Sequence, residues 1–149
     1  MTHWTQRHRV VLAVYLILQK DGQVLLMRRA NTGYMDGKYG LPAGHVESGE
    51  RATAAMVREA KEEVGVRVSA RNLQLVHTMH RRAEEGDHER IDLFFAAQTW
   101  QGEPRNMEPH KCDELRWCPV VSLPKNTIPV VRQALDCIEE SVLYSEAGF

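Results

Sequence analysis

Gly44-His45-Val46-Glu47-Ser48-Gly49-Glu50, then seven residues, then Arg58-Glu59-Ala60-Lys61-Glu62-Glu63-Val64-Gly65-Val66, is the stretch that decides how this chain folds. Its second half lies in the one long helical pattern, Arg51 to Val64. At about 100° per residue with Glu59 at zero, Glu62 falls near −60° and Glu63 near +40°, so the three carboxylates share one face. Thr53, Val57, Ala60 and Val64 cluster roughly 100° to 160° away, an arc suited to packing on a sheet. Like charges at these spacings destabilise an isolated helix by about 0.2–0.5 kcal/mol per pair. Lys61 points elsewhere on the wheel, which leaves a bound cation as the natural partner. Clustered carboxylate oxygens suit Mg²⁺, with Mn²⁺ as a substitute, rather than zinc. Acidic helix faces are most often simply solvated, so the flanking sequence has to decide.

Outward from this helix the chain alternates strands and turns. Arg9 to Gln19 (RVVLAVYLILQ) is β-branched, aliphatic and too continuous for an amphipathic helix, so it reads as a buried strand. Asp21-Gly22 is a hairpin turn, because both residues tolerate positive φ, and Gln23 to Arg29 is the return strand. A loop from Ala30 to Lys38 leads into Tyr39-Gly40-Leu41-Pro42-Ala43-Gly44. Beyond Gly65 come a β-rich start at Val66, a strand at Leu73–His80, a polar turn at Arg81–Glu89 and a strand at Ile91–Trp100. Gln101 to Cys112 is a loop, Glu114 to Val121 a short strand, and Ile128 to Leu143 a closing amphipathic helix. Strands and helices interleave without strict alternation, which predicts an α/β fold, a mixed sheet with helices on both faces, as one domain over residues 1–149.

Composition narrows the function. The chain has 149 residues, 43% apolar and 26% charged, with a formal charge of −1, so it carries no basic field for a long nucleic acid. A small anionic substrate remains compatible, since a bound metal supplies positive charge locally. The longest apolar run, Val10 to Leu18, is far short of the roughly 20 residues that span a bilayer. Met1 to Arg7 lacks the apolar core of a signal peptide. Cys112, Cys118 and Cys137 make neither a disulfide ladder nor a C-x-x-C pair, and His110 is the only close partner for a zinc site. A reduced cytoplasmic setting is expected, with no membrane partner, as a monomer or homodimer.

The quoted stretch resembles the Nudix box, G-x5-E-x7-R-E-U-x-E-E-x-G-U, with U a bulky aliphatic. Every charged and glycine position matches at its spacing, and Ala60 alone departs, at a position where the helical wheel predicts packing rather than chemistry. The resemblance implies a Nudix α/β/α sandwich and a MutT-like hydrolase that cuts a diphosphate linkage with Mg²⁺. It assigns Glu59, Glu62 and Glu63 to the metal and, with Arg58, to catalysis, any of the three glutamates serving as the general base. Glu50 would pair with Arg58 and brace the loop against the helix. Ala43 would offer its backbone carbonyl to the metal, and Gly44 and Gly65 would supply turn freedom. A further carboxylate is expected from Asp113-Glu114-Leu115-Arg116-Trp117, with Glu114 the first candidate and Glu108 the second. Arg28, Arg29 and Tyr34 precede the box where substrate-binding loops lie, and Asn126 stands near a base-reading position.

Among substrates, the small size favours a (d)NTP pyrophosphatase that releases a nucleoside monophosphate and pyrophosphate. No proline stands some 15 residues past the box, where Met79, His80 and Arg81 are found, and the coenzyme A signature is missing. The alternatives are a dinucleoside polyphosphate or ADP-ribose hydrolase, or a nucleotide-sensing module without turnover. Retention of every box carboxylate argues against the last.

Overall fold

The computed structural model describes residues 6–82 and 88–149. Strand β1 (Val11–Lys20) turns at Asp21 and Gly22, both at positive φ, into β2 (Gln23–Arg29). Two short strands follow, β3 (Tyr39–Gly40) and β4 (Ala43–His45), then helix α1 (Ala52–Val64). A single 3₁₀ turn at Ala70–Asn72 precedes β5 (Gln74–Arg81) and β6 (Arg90–Ala97). Strand β7 (Cys112–Pro119), helix α2 (Pro129–Glu139) and β8 (Tyr144–Ala147) complete the order. The strands lie β3-β2-β1-β6-β5-β8, with β4 also on β1 and β7 also on β2. The β1–β6 and β5–β8 pairs are parallel and the others antiparallel, so the sheet is mixed as expected.

Alternation along β1 divides the core. Val14, Leu16 and Leu18 face Ala55, Met56, Ala60 and Val64 of α1, while Ile17 faces Val131, Ala134 and Leu135 of α2. One helix therefore covers each face, the α/β/α sandwich the sequence implied. Strand β1 pairs with β4 over Ala13–Tyr15 but with β2 only at Gln19 and Lys20. Its partners diverge, and the sheet opens between them.

Two expectations are corrected here. The buried stripe of α1 is Ala55, Met56, Ala60 and Val64, with Thr53 and Val57 only half-buried. The core face thus adjoins the acidic face instead of standing apart from it. The closing helix stops at Glu139 rather than Leu143, because Ser141 enters the left-handed region (φ 59°) and the chain then joins the sheet edge. There the His77 imidazole lies 2.8 Å from the Val142 carbonyl and Thr78 N–H donates to Leu143 O, so a sheet edge captures apolar residues that looked helical. Strands β3 and β4 follow the Ala30–Lys38 loop, in a stretch that local periodicity leaves unassigned because each is too short for a period to show. The polar turn read at Arg81–Glu89 falls partly on residues 83–87, outside the described residues. Among the described residues no helix is long and apolar enough to cross a membrane.

Candidate active site

Helix α1 begins after a glycine-containing loop and ends at Gly65, whose φ of 70° is the left-handed C-cap that glycine adopts without cost. The three acids on its face meet different surroundings. Glu62 is 55% exposed, Glu59 is 14% exposed, and Glu63 points inward, where its Oε2 accepts the Ala43 amide at 2.8 Å. Burial pushes the Glu63 carboxyl up to about 8; the Ala43 amide opposes this, while the negative charges of Glu59 and Glu108 add to it. Burial also raises Glu59, against the opposing pull of Arg58. A desolvated acid group of this kind favours an incoming cation.

The structure departs from the expectation that these acids have no protein counter-ion. Arg58 Nη1 lies 2.8 Å from Glu59 Oε1 and 3.4 Å from Glu62 Oε2. The same guanidinium grips Glu50 bidentately, Nε to Oε2 at 2.9 Å and Nη2 to Oε1 at 3.1 Å, and donates to the His45 carbonyl at 3.2 Å. Glu50, held below the usual carboxylate range by Arg58, also accepts the Glu47 amide. Arg58 therefore ties loop to helix and shares its charge with two of the three acids. One cation against three or four carboxylates still leaves the group negative.

Gly44 has a reason other than turn freedom. It lies in β4, and a Cβ there would overlap the Glu59 carboxylate. Glycine lets the helix acid lie against strand backbone. Val14 pairs with Gly44, and the flanking bonds Leu16 N–H to Pro42 O and Val46 N–H to Leu12 O mark the bonded positions of this ladder. Ala43 is thus a non-bonded position, and its N–H and C=O both face away from β1, on the side of Glu63. Its φ is not in the left-handed region, so alanine is unstrained there.

The fourth acid near this group is Glu108, not Glu114. Arg105 N–H donates to Val64 O and Met107 N–H to Glu63 O, docking the loop before β7 onto the orphan carbonyls at the end of α1. This brings Glu108 close enough to raise both Glu59 and Glu63. Glu114 instead accepts the Tyr39 hydroxyl at 2.5 Å and pairs with Arg28 at 3.1 Å. Its position on β7, opposite Arg28 of β2, holds it away from the helix acids.

A cavity of about 410 Å³ opens beside the acids, with Glu63, Glu108, Ala43 and Gly44 in its wall. Arg28, Arg29 and Tyr34 line it as expected. Arg28 is spent largely on Asp113, at 2.7 Å. Arg29 donates to the Tyr34 carbonyl and the Thr32 hydroxyl, both neutral, and packs 5.4 Å from the Tyr34 ring centre, so its charge remains for the cavity. Asn126 is not in the wall; its amide donates to Gly37 O at 2.8 Å and holds the loop before β3. Cys112 and Cys118 are buried thiols of β7.

Sequence reasoning missed the opposite end of the cavity. Tyr15, His45, Arg81 and Arg90 line it, with Asp92 fully buried behind them. The available signal was Asp92 itself, a lone acid in an otherwise apolar strand, where a buried charge needs a partner. Arg81 supplies it across the sheet, Nε to Oδ2 at 3.1 Å, though the angle is too poor for a hydrogen bond.

The acids fit a hard divalent ion by donor chemistry and by their shared desolvation. Among the described residues no three His, Cys, Asp or Glu side chains already converge on one point. Glu59 is turned to Arg58 and Glu63 to the Ala43 amide.

A mixed sheet lies between two helices, with an acid-faced helix at the mouth of a cavity. A family model described as the NUDIX domain matches residues 7–136, and the chain belongs to the Nudix hydrolases. It is 28% identical over 121 residues to the 8-oxo-dGTP diphosphatase of Escherichia coli (strain K12), covering 81% of this chain and 88% of that one. It is 39% identical over 75 residues to an ADP-ribose pyrophosphatase of Methanocaldococcus jannaschii, covering 50% of this chain and 44% of that relative. A crystal structure of the MutT NUDIX hydrolase from Burkholderia pseudomallei superposes with a TM-score of 0.78 at 25% identity, over 87% of this chain and 98% of that one.

Proposed function

We propose that this hydrolase cuts a diphosphate linkage of a nucleoside triphosphate, releasing a nucleoside monophosphate and pyrophosphate, with Mg²⁺ as its cofactor and Mn²⁺ as a substitute. The observation that carries the reading is Glu63, buried beside Glu59 and Glu108 and open to a cavity whose wall also holds Arg29. Carboxylates and a guanidinium meet there, as a bound polyphosphate with its counter-ions requires. The Escherichia coli relative, 88% of which this chain covers, is named for a nucleoside triphosphate substrate, which supports the reading.

Each residue has a defined task. Glu59, Glu62 and Glu63 would hold the ion, joined by the Ala43 carbonyl and by Glu108. When bound, divalent ions supply positive charge to phosphate oxygens and acidify water. Arg29 binds a phosphate oxygen, and Arg58 with Glu50 keeps the loop in register with the helix. Water oxygen adds to phosphorus, the bridging P–O bond breaks, the water proton passes to one of the helix carboxylates, and pyrophosphate departs. The test is turnover with Mg²⁺ across nucleoside triphosphates, ADP-ribose and dinucleoside polyphosphates. Release of monophosphate and pyrophosphate from triphosphates is expected to be fastest. Preference for ADP-ribose, or no turnover of any of them, would overturn the proposal.

A further inference from the structure

Glu108 belongs to no helix or strand, yet the loop that carries it is bonded on both sides of it. Gly65, at the end of α1, leaves room for that loop, since a Cβ there would lie 3.2 Å from both Arg105 Nε and Met107 Sδ. The Arg105 and Met107 amides thus reach the Val64 and Glu63 carbonyls. Met107 is anchored on Glu63 itself, and Glu108 follows one residue later. On its far side the Glu108 carbonyl accepts the Lys111 amide at 2.8 Å and the Cys112 amide at 3.0 Å, a single turn that runs into β7. Pro109 within that turn has no amide to satisfy. Asn106 closes the arrangement. Its Oδ1 accepts the Glu108 amide at 3.1 Å, and its Nδ2 donates to the Cys112 carbonyl at 2.6 Å.

We propose that Asn106 is a positioning residue of the active site, fixing the backbone of Glu108 so that its carboxylate is in place for the divalent ion. One half-buried carboxamide spans the turn from the Glu108 amide to the start of β7, and Cys112 is itself paired with Arg29 of β2. The loop is thereby tied to the helix end on one side and to the sheet on the other. The two bonds ask for opposite ends of the amide, an acceptor towards an N–H and a donor towards a C=O. Aspartate lacks that donor, and serine lacks the second polar atom. The Glu108 carboxylate has little else to steer it, since its pair with Lys111 Nζ is 3.5 Å long and the lysine is 59% exposed. A ligand on a loose loop must be ordered when the ion binds, at a cost in affinity that a backbone fixed beforehand avoids.

This inference rests on the proposed role of Glu108 towards the metal, and binding of Mn²⁺ alone to the full chain tests it without turnover. In titration calorimetry, Asn106→Ala and Glu108→Gln are each expected to weaken Mn²⁺ binding about tenfold. The double variant is expected to lose about tenfold as well, because the asparagine acts only through the glutamate. A merely structural asparagine would cost the same with or without Glu108, so a loss of about a hundredfold in the double variant overturns the inference. Unchanged binding in Asn106→Ala overturns it too. Asn106→Ser, whose hydroxyl can still accept the Glu108 amide, is expected to stay within about threefold of the wild type. If Asn106→Ala does not fold, Asn106→Ser replaces it in the cycle, and persistence of its smaller loss beside Glu108→Gln overturns the inference. Mn²⁺ binding untouched by Glu108→Gln removes Glu108 as a ligand and the role of Asn106 with it. The expected cycle in a chain that turns over no nucleotide refutes the hydrolysis alone, whereas turnover with an additive cycle refutes only the positioning role.

Discussion

The two ends of the cavity bury charge in opposite ways. At the helix end, four carboxylates meet Arg58 on Glu59 and Glu62 and Lys111 on Glu108, so negative charge is in excess and burial drives Glu63 towards protonation. At the strand end, a single buried acid, Asp92, faces two arginines, Arg81 and Arg90, so positive charge surrounds it. On the proposed reading the first end is completed by a charge that arrives from outside, whereas the second already gives its buried acid counter-charges from within the protein. Buried charge left uncompensated is costly, and folds retain it where binding supplies the partner.

The largest expected effect breaks the helix end. Excess chelator should abolish turnover, and Glu63→Gln should lower kcat/KM by the equivalent of several kcal/mol while keeping the side-chain shape. Undiminished turnover in chelator would remove the metal from the reaction, and near wild-type rates for Glu63→Gln would remove Glu63. The strand end should respond in stability instead. Asp92→Asn leaves two guanidiniums around a neutral amide, with an expected loss of about 3 kcal/mol and a fall in Tm of roughly 10 °C. An unchanged melting curve would show that the arginines need no buried counter-charge.

A pH series on metal-free protein sharpens the contrast. The folded Glu63 carboxyl titrates near 8, above its ordinary value of 4.5, so the folded state holds the extra proton between those values. Its contribution is fully present below about pH 4.5 and is lost as pH rises towards 8. Relative to Glu63→Gln, the wild type should therefore lose on the order of a few kcal/mol over that window, and saturating Mg²⁺ should restore stability most at high pH. Parallel Tm-versus-pH curves for the two proteins would contradict the assignment.

Two smaller effects divide neighbouring acids and arginines. Glu108→Gln should reduce kcat/KM by about tenfold, with a raised Mg²⁺ requirement, since Glu108 is close to the helix acids. Glu114→Gln, paired to Tyr39 and Arg28, should change the Mg²⁺ requirement little; the reverse ranking in a metal titration would restore Glu114 as the ligand. Arg58→Ala and Glu50→Gln disrupt one bidentate pair, so their combined cost should fall short of the sum of the singles. A cycle on kcat/KM with an interaction term within about 0.5 kcal/mol of zero would count against the brace.

Local periodicity and spacing determined a great deal of this protein by themselves. The helix Ala52–Val64, its three-acid face, the Asp21-Gly22 hairpin and the glycine C-cap all depend on neighbours a few residues apart, and the resemblance to the Nudix box added the Arg58–Glu50 pairing. Tertiary structure decided what no local pattern encodes. Glu108 and Glu114 are both acids of one polar stretch, and only the bonds from Arg105 and Met107 to the carbonyls ending α1 bring the first and not the second to Glu63. Gly44 is required by an acid fifteen residues away that lies against its Cα. Asp92, Arg81 and Arg90 meet only through the register of β5 with β6, and Ala43 faces Glu63 only because the ladder alternation on β1 turns its amide outward. Sequence fixes which groups a helix or turn presents, because those depend on dihedral period alone. Which charges become neighbours depends on strand register and loop docking, and these are set by hydrogen bonds between segments far apart in the chain.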